Sequence, residues 1–278
     1  MTMAFVKEKE FLICIDSDGC AMDTMEVKHR KCFGPEWIKA FGLEAYEPEA
    51  TALWLRVNLY SQTRGINRFK GCALCLKKLG VSLPGLDAFL NFTETAKELS
   101  NRGLEAELAK NPNPCMEKAL AWSINTNIAI GALTGEDHPY PFVPEILSYL
   151  STRFDVVAVS SANKQALEEE WTRHGLKEST RTLLSQEDGS KTDGIKSLLE
   201  MGYSPEKVLM IGDAPGDLEA AQKNGVWFYP ILVGQEAESW ALIKEDVAEK
   251  LIKGSFTHGY QKQLIQNFFE TLDNSGKK

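Results

Sequence analysis

Phe11-Leu-Ile-Cys-Ile-Asp16-Ser-Asp18-Gly19 decides the architecture of this chain: a short apolar run ends in two carboxylates one residue apart. Side chains alternate along an extended chain, so Asp16 and Asp18 can point the same way at a strand tip. Gly19 then permits the sharp turn that opens a pocket beside them. Paired carboxylates in that position suit a metal ion, a nucleophile or a proton donor.

Working outward, the texture changes twice. From about Val27 to Leu133 the apolar residues recur at helical intervals, as in Trp37, Ile38 and Phe41, then Cys72, Cys75, Leu76 and Leu79. Turns are expected at Gly34-Pro35, Leu83-Pro84-Gly85 and Asn111 to Pro114. From Phe154 short β-rich runs alternate with amphipathic helices. Strands are expected at 154–159, 182–185, 207–211 and 226–232, with helices at 164–174, 193–201 and 217–224. This alternation predicts a doubly wound α/β layer of parallel strands joined by right-handed crossovers. The first strand belongs to that sheet, which gives residues 1–26 plus 145–278 as an α/β core and 27–144 as an inserted all-helical domain. The segment Gly135 to Pro144 reads as the returning linker. Residues 237–271 read as two further helices, and Asp273 to Lys278 as a frayed end.

Composition sets bounds. The 278 residues are 43% hydrophobic, enough for a sizeable core. A formal charge of −8 gives no broad basic footprint, so neither nucleic acid nor an anionic membrane is an expected partner. Met1 to Glu10 has no apolar leader pattern, and no stretch is long enough to span a bilayer. Six cysteines without a disulfide-like spacing fit a reducing cytoplasm, the expected location. Cys72-Ala-Leu-Cys75 sits in a helical apolar pattern and reads as core packing; the four histidines form no ligand spacing.

Ligands in open α/β sheets bind at the carboxyl ends of strands. Those ends carry Asp16 and Asp18, then Ser160 and Ser161, then Lys191 just before a helix, then Gly212-Asp213-Ala-Pro-Gly-Asp217. A calcium loop is a poor rival, because an apolar strand precedes the acids and Cys20, Ala21 and Met22 follow them.

The ordered set of DxDG, Ser, Lys and GDxxxD resembles the haloacid dehalogenase superfamily of phosphatases and phosphotransferases, with the helical insertion in the position of a C1-type cap. Phosphate monoester cleavage needs an oxygen nucleophile, a proton for the leaving alkoxide and neutralised charge. Asp16 is the expected nucleophile and Asp18 the expected proton donor, roles that the resemblance also implies. Mg²⁺ is the hard cation that suits such oxygen ligands. The resemblance implies Asp16, the backbone carbonyl of Asp18 and Asp213 as its ligands, with Asp217 behind them or acting through water. Lys191 and Ser160, with Ser161 beside it, are the expected phosphate contacts. Arg64 and Arg68, in the most basic stretch of the insertion, are candidates for recognising a second anionic or hydroxylated part of the substrate.

The expected function is Mg²⁺-dependent hydrolysis of a small phosphorylated metabolite, with a sugar phosphate as the candidate substrate, through an aspartyl phosphate. Asp18 argues against the dehalogenase branch, whose motif lacks the second acid. Two alternatives stand beside this reading. A sugar phosphomutase fits Asp23, Thr24 and Glu26 but has a histidine where this chain has Lys28, with His29 one step later. The other is a catalytically silent module that holds a phosphate ligand.

Overall fold

The computed structural model describes residues 6–133 and 135–275, and these form two compact units. One comprises residues up to Thr24 together with those from Asp137 onward, and the other runs from Met25 to Glu136.

The first unit is built on five parallel strands: β1 (Leu12–Ile15), β2 (Asp155–Val159), β3 (Thr182–Leu184), β4 (Val208–Gly212) and β5 (Trp227–Pro230). Their order across the sheet is β3-β2-β1-β4-β5. The chain builds outward from β1 to β3, then jumps back across β1 to start β4, so the topological switch point lies between β1 and β4. Their near-continuous apolar sequences follow from burial on both faces. Ile13, Ile15, Val156, Ala158, Leu209 and Ile211 line one core, whereas Leu12, Cys14, Val157, Val159, Val208 and Met210 line the other. The period of two along each strand thus feeds two hydrophobic layers.

Helices cover both layers. Lys164–Arg173, Lys191–Leu199 and Pro215–Asn224 follow β2, β3 and β4 as the sequence predicts. Helix Val143–Arg153 falls where a linker was expected to end: Pro144 occupies its first turn, where no intrahelical N–H is needed, and Val143, Ile146, Leu147 and Leu150 face the core. At the C-terminal end, Glu236–Leu242 runs through a π-turn at Ile243–Val247 into Ala248–Ile252, followed by His258–Ser275. The last helix carries Asp273 to Ser275, which were expected to fray; 276–278 lie outside the described residues.

The second unit is all helical. Gly34–Phe41, Glu47–Asn58, Arg68–Leu79, Leu86–Thr95, Asn101–Leu108 and Pro114–Gly131 pack around Trp37, Trp54, Phe69, Phe89 and Trp122. Gly34-Pro35 is not the turn that its composition predicts. A π-turn at His29–Phe33 leads straight into the next helix, with Gly34 N bonded to His29 O, and Pro35 sits in the first turn of that helix. Cys72 and Cys75 are buried in this core, and all six cysteines are free thiols. Among the described residues no helix is long and apolar enough to cross a membrane.

Candidate active site

The β1 end continues the ladder by one bond, from Asp16 N to Ile211 O at 3.0 Å, and then breaks into a turn. Ser17 O collects N–H groups of Cys20, Ala21 and Met22 at 3.2, 2.9 and 2.8 Å, while Gly19 takes a φ of 81° that suits glycine. Asp16 is 5% exposed, and its Oδ1 accepts from Ser17 N at 2.8 Å. Asp18 is half-buried, and Thr24 Oγ1 donates to its Oδ1.

Across the switch point, β4 delivers Asp213, which is 1% exposed. Asp217 lies in the first turn of helix Pro215–Asn224, fully buried, and its Oδ2 accepts from Ala214 N at 3.0 Å, which satisfies a helix-start N–H. The close approach requires glycine at 212, since a Cβ there would stand 2.4 Å from Asp217 Cγ. Oxygens of Asp16, Asp213 and Asp217 all lie within 4.8 Å of one another.

Lys191 binds two of these acids. It opens helix Lys191–Leu199, which Ser190 caps by accepting from Asp193 N while the Asp193 side chain accepts from Ser190 N. Lys191 Nζ stands 2.8 Å from Asp16 Oδ1 and 2.6 Å from Asp217 Oδ1. Burial pushes the Asp16 carboxyl well above the usual range, helped by the charges of Asp217 and Asp213 and opposed by Lys191. For Lys191 burial works against the charge, but Asp16 and Asp217 outweigh it, so the ammonium is held above its usual value. Three buried carboxylates against one ammonium leave two negative charges to be neutralised, which an all-oxygen, hard-cation site would do. The donor set therefore fits Mg²⁺, with Asp16 and Asp213 as its side chains and Asp217 committed to Lys191 and Ala214 N.

At the end of β2, Ser160 is buried and its Oγ accepts from Ala162 N at 3.0 Å, whereas Ser161 is exposed. In the helical unit, Arg64 is buried and donates from Nη1 to Leu59 O at 3.0 Å. Arg68 donates from Nη1 to Ser123 Oγ at 3.0 Å and Asn127 Oδ1 at 2.7 Å, with its guanidinium 5.1 Å from the Phe33 ring centroid. Burial lowers the Arg68 pKa to about 10. Ser17 and the residues that hold it were not anticipated as site residues, and Thr24 entered only through the mutase alternative. An apolar turn sequence gives little signal for them, because what matters is the partner that each backbone group meets.

A family model described as haloacid dehalogenase-like hydrolase matches residues 94–231. The match takes in Ser160, Lys191, Asp213 and Asp217 and leaves out Asp16 and Asp18. No curated protein matches the chain in sequence. Among solved structures, an inferred phosphoglycolate phosphatase from Lactobacillus delbrueckii subsp. bulgaricus is similar at 14% identity and a TM-score of 0.52, covering 80% of this chain and 86% of that one. A haloacid dehalogenase-like family protein from Streptococcus pneumoniae shares 16% identity, covering 83% and 90% of the two chains, with a TM-score of 0.46. An inferred beta-phosphoglucomutase from Thermotoga maritima shares 15% identity, covering 85% and 99%, with a TM-score of 0.48.

Proposed function

We propose that this chain, which belongs to the haloacid dehalogenase superfamily, is a Mg²⁺-dependent hydrolase of a small phosphate monoester. The observation that carries the reading is Lys191 Nζ bound to both Asp16 and Asp217 at the β1/β4 switch point, with Asp213 in the same carboxylate cluster.

In this reading a carboxylate oxygen of Asp16 attacks phosphorus and the bond to the alkoxy oxygen breaks. Asp18 gives its proton to the departing oxygen. Water then attacks the phosphorus of the aspartyl phosphate and loses a proton to the Asp18 carboxylate. The bond between phosphorus and the Asp16 oxygen breaks, which releases inorganic phosphate and restores both acids. Thr24 Oγ1, as donor to Asp18 Oδ1, fixes the orientation of that carboxyl. Lys191 supplies a buried positive charge next to the nucleophile, and Ser160 with nearby N–H groups would hold phosphate oxygens. A Mg²⁺ ion held by Asp16, Asp213 and the Asp18 carbonyl would neutralise charge on the phosphate when bound.

The mutase alternative loses support from His29, the nearest histidine to the position where mutases carry theirs. Its Nδ1 accepts from Trp54 Nε1 at 3.1 Å and its ring stacks on Phe33, so it acts as a packed core residue. Arg64 and Arg68 remain the proposed residues for reading the rest of the substrate.

The test is phosphate release from p-nitrophenyl phosphate with and without Mg²⁺, followed by a panel of sugar and nucleoside phosphates. Mg²⁺-dependent release is expected. No release from any substrate would favour the silent module, and faster interconversion of hexose monophosphates than phosphate release, when primed by a hexose bisphosphate, would favour the mutase.

A further inference from the structure

Two fully buried tryptophans from distant parts of the chain reach the same turn. Trp171, near the end of the helix after β2, donates from Nε1 to Ser17 Oγ at 2.8 Å. Trp240, in the helix Glu236–Leu242 beyond β5, donates from Nε1 to Cys20 O at 2.8 Å. Ser17 has the same strand parity as Ile13 and Ile15, and both indoles lie in the core cluster of that face. A buried indole needs some acceptor for its N–H, and any nearby helix carbonyl would serve. Here both acceptors fall within the turn of residues 17–22, on either side of Asp18.

The internal bonds of that turn make the two contacts consequential. Ser17 O gathers three N–H groups, and Gly19 N donates to Met22 O at 2.8 Å, so the turn moves as one piece. Trp171 fixes its first residue and Trp240 its middle, while Thr24 orients the Asp18 carboxyl. An Asp18 side chain displaced by about an ångström would lose most of its value as an acid, because proton transfer requires hydrogen-bond reach.

We infer that Trp171 and Trp240 are positioning residues that aim Asp18 at the leaving oxygen, an inference that rests on the assignment of Asp18 as the proton donor. It gives the helix Glu236–Leu242 a function: it delivers Trp240.

Leaving-group dependence separates positioning from mere structural support. An alkyl leaving group needs a proton, whereas p-nitrophenolate departs without one. The parameter to compare is kcat/KM, which reports transfer to Asp16 and not the later hydrolysis of the intermediate. Trp240→Phe is expected to lower kcat/KM for an alkyl phosphate about tenfold while changing that for p-nitrophenyl phosphate by less than about threefold. Ser17→Ala, which removes the acceptor of Trp171 with little change in volume, is expected to show the same selectivity. Trp227→Phe serves as control, since its indole donates to Glu206 O away from the turn, and it should leave the ratio of the two substrates unchanged. A loss of folded protein would reduce both substrates alike. Equal losses on the two substrates in both Trp240→Phe and Ser17→Ala would overturn the inference while leaving the phosphatase reading intact. A wild-type protein inactive toward both substrates would instead overturn the phosphatase reading itself.

Discussion

Asp16 carries a cost that its proposed chemistry requires. Its carboxyl is pushed up by burial and by the neighbouring acids, so in the cation-free protein the folded state holds its proton more tightly than the unfolded chain does. Stability must then fall as pH rises from the unfolded carboxylate value of roughly 4 through the raised folded value. Lys191 acts in the opposite window: its raised pKa contributes stability that is complete below roughly 10.5 and lost only at higher pH. Asp16→Asn is therefore expected to abolish turnover while stabilising the cation-free protein by about 1–2 kcal/mol near neutral pH. Urea denaturation in EDTA at two pH values checks the second half, with a flatter pH dependence for the variant; retained turnover would remove Asp16 as nucleophile. Gly212→Ala tests the packing behind the acids. With Asp217 Cγ 2.4 Å from the new methyl position, Asp217 must give way, and its bonds to Lys191 and Ala214 N with it. A loss of about 1–3 kcal/mol is expected by thermal denaturation, together with a large fall in kcat. Wild-type stability in that variant would mean that the close approach is not maintained in solution.

At the level of elements, legibility followed burial. The strands announced themselves because β2 and β4 are apolar on both faces, so Val156 to Val159 and Val208 to Ile211 read as continuous runs. Asp16 and Asp213 stand directly at the ends of such runs, whereas Lys191 is separated from β3 by residues 185–190 and stood out only as one member of the ordered set. Helix Val143–Arg153 was missed because Pro139, Pro141 and Pro144 made its start resemble a linker, although Val143, Ile146, Leu147 and Leu150 carried the helical spacing. Trp171 and Trp240 were legible only as apolar positions, since the acceptor of an indole N–H depends on tertiary packing. Where the sequence predicts only a turn at Asn111 to Pro114, the structure places a helix cap. Asn113 accepts from Cys115 N and Met116 N, both at 3.0 Å, and its Nδ2 donates to Gly85 O at 3.1 Å. Asn113→Ala is expected to destabilise the helical unit by about 1–2 kcal/mol, and Asn113→Asp, which keeps the cap acceptor, by clearly less. Equal losses in chemical denaturation would mean that the bond to Gly85, and not the cap, is what Asn113 contributes.

For the whole molecule, the division into two units has a thermodynamic consequence. Each unit encloses its own core, one around the sheet and the other around Trp37, Trp54 and Trp122. Asp16, Asp213 and Asp217 all belong to the first unit, so the free energy of binding the proposed cation would enter the folding equilibrium of that unit directly. At a Mg²⁺ concentration about a hundred times its dissociation constant the stabilisation is about 2.7 kcal/mol, which slows exchange through unfolding of that unit about a hundredfold. Hydrogen exchange read peptide by peptide distinguishes the units. Amides of β1 and β4 are expected to gain this protection when Mg²⁺ is added, whereas those of helix Pro114–Gly131 stay unchanged. The Asp213→Asn variant should lose the effect in β1 and β4 because it removes a ligand without touching the sheet ladder. Equal protection of both units would mean that the chain unfolds as a single cooperative body, and protection that survives Asp213→Asn would move the cation away from the β1/β4 switch point.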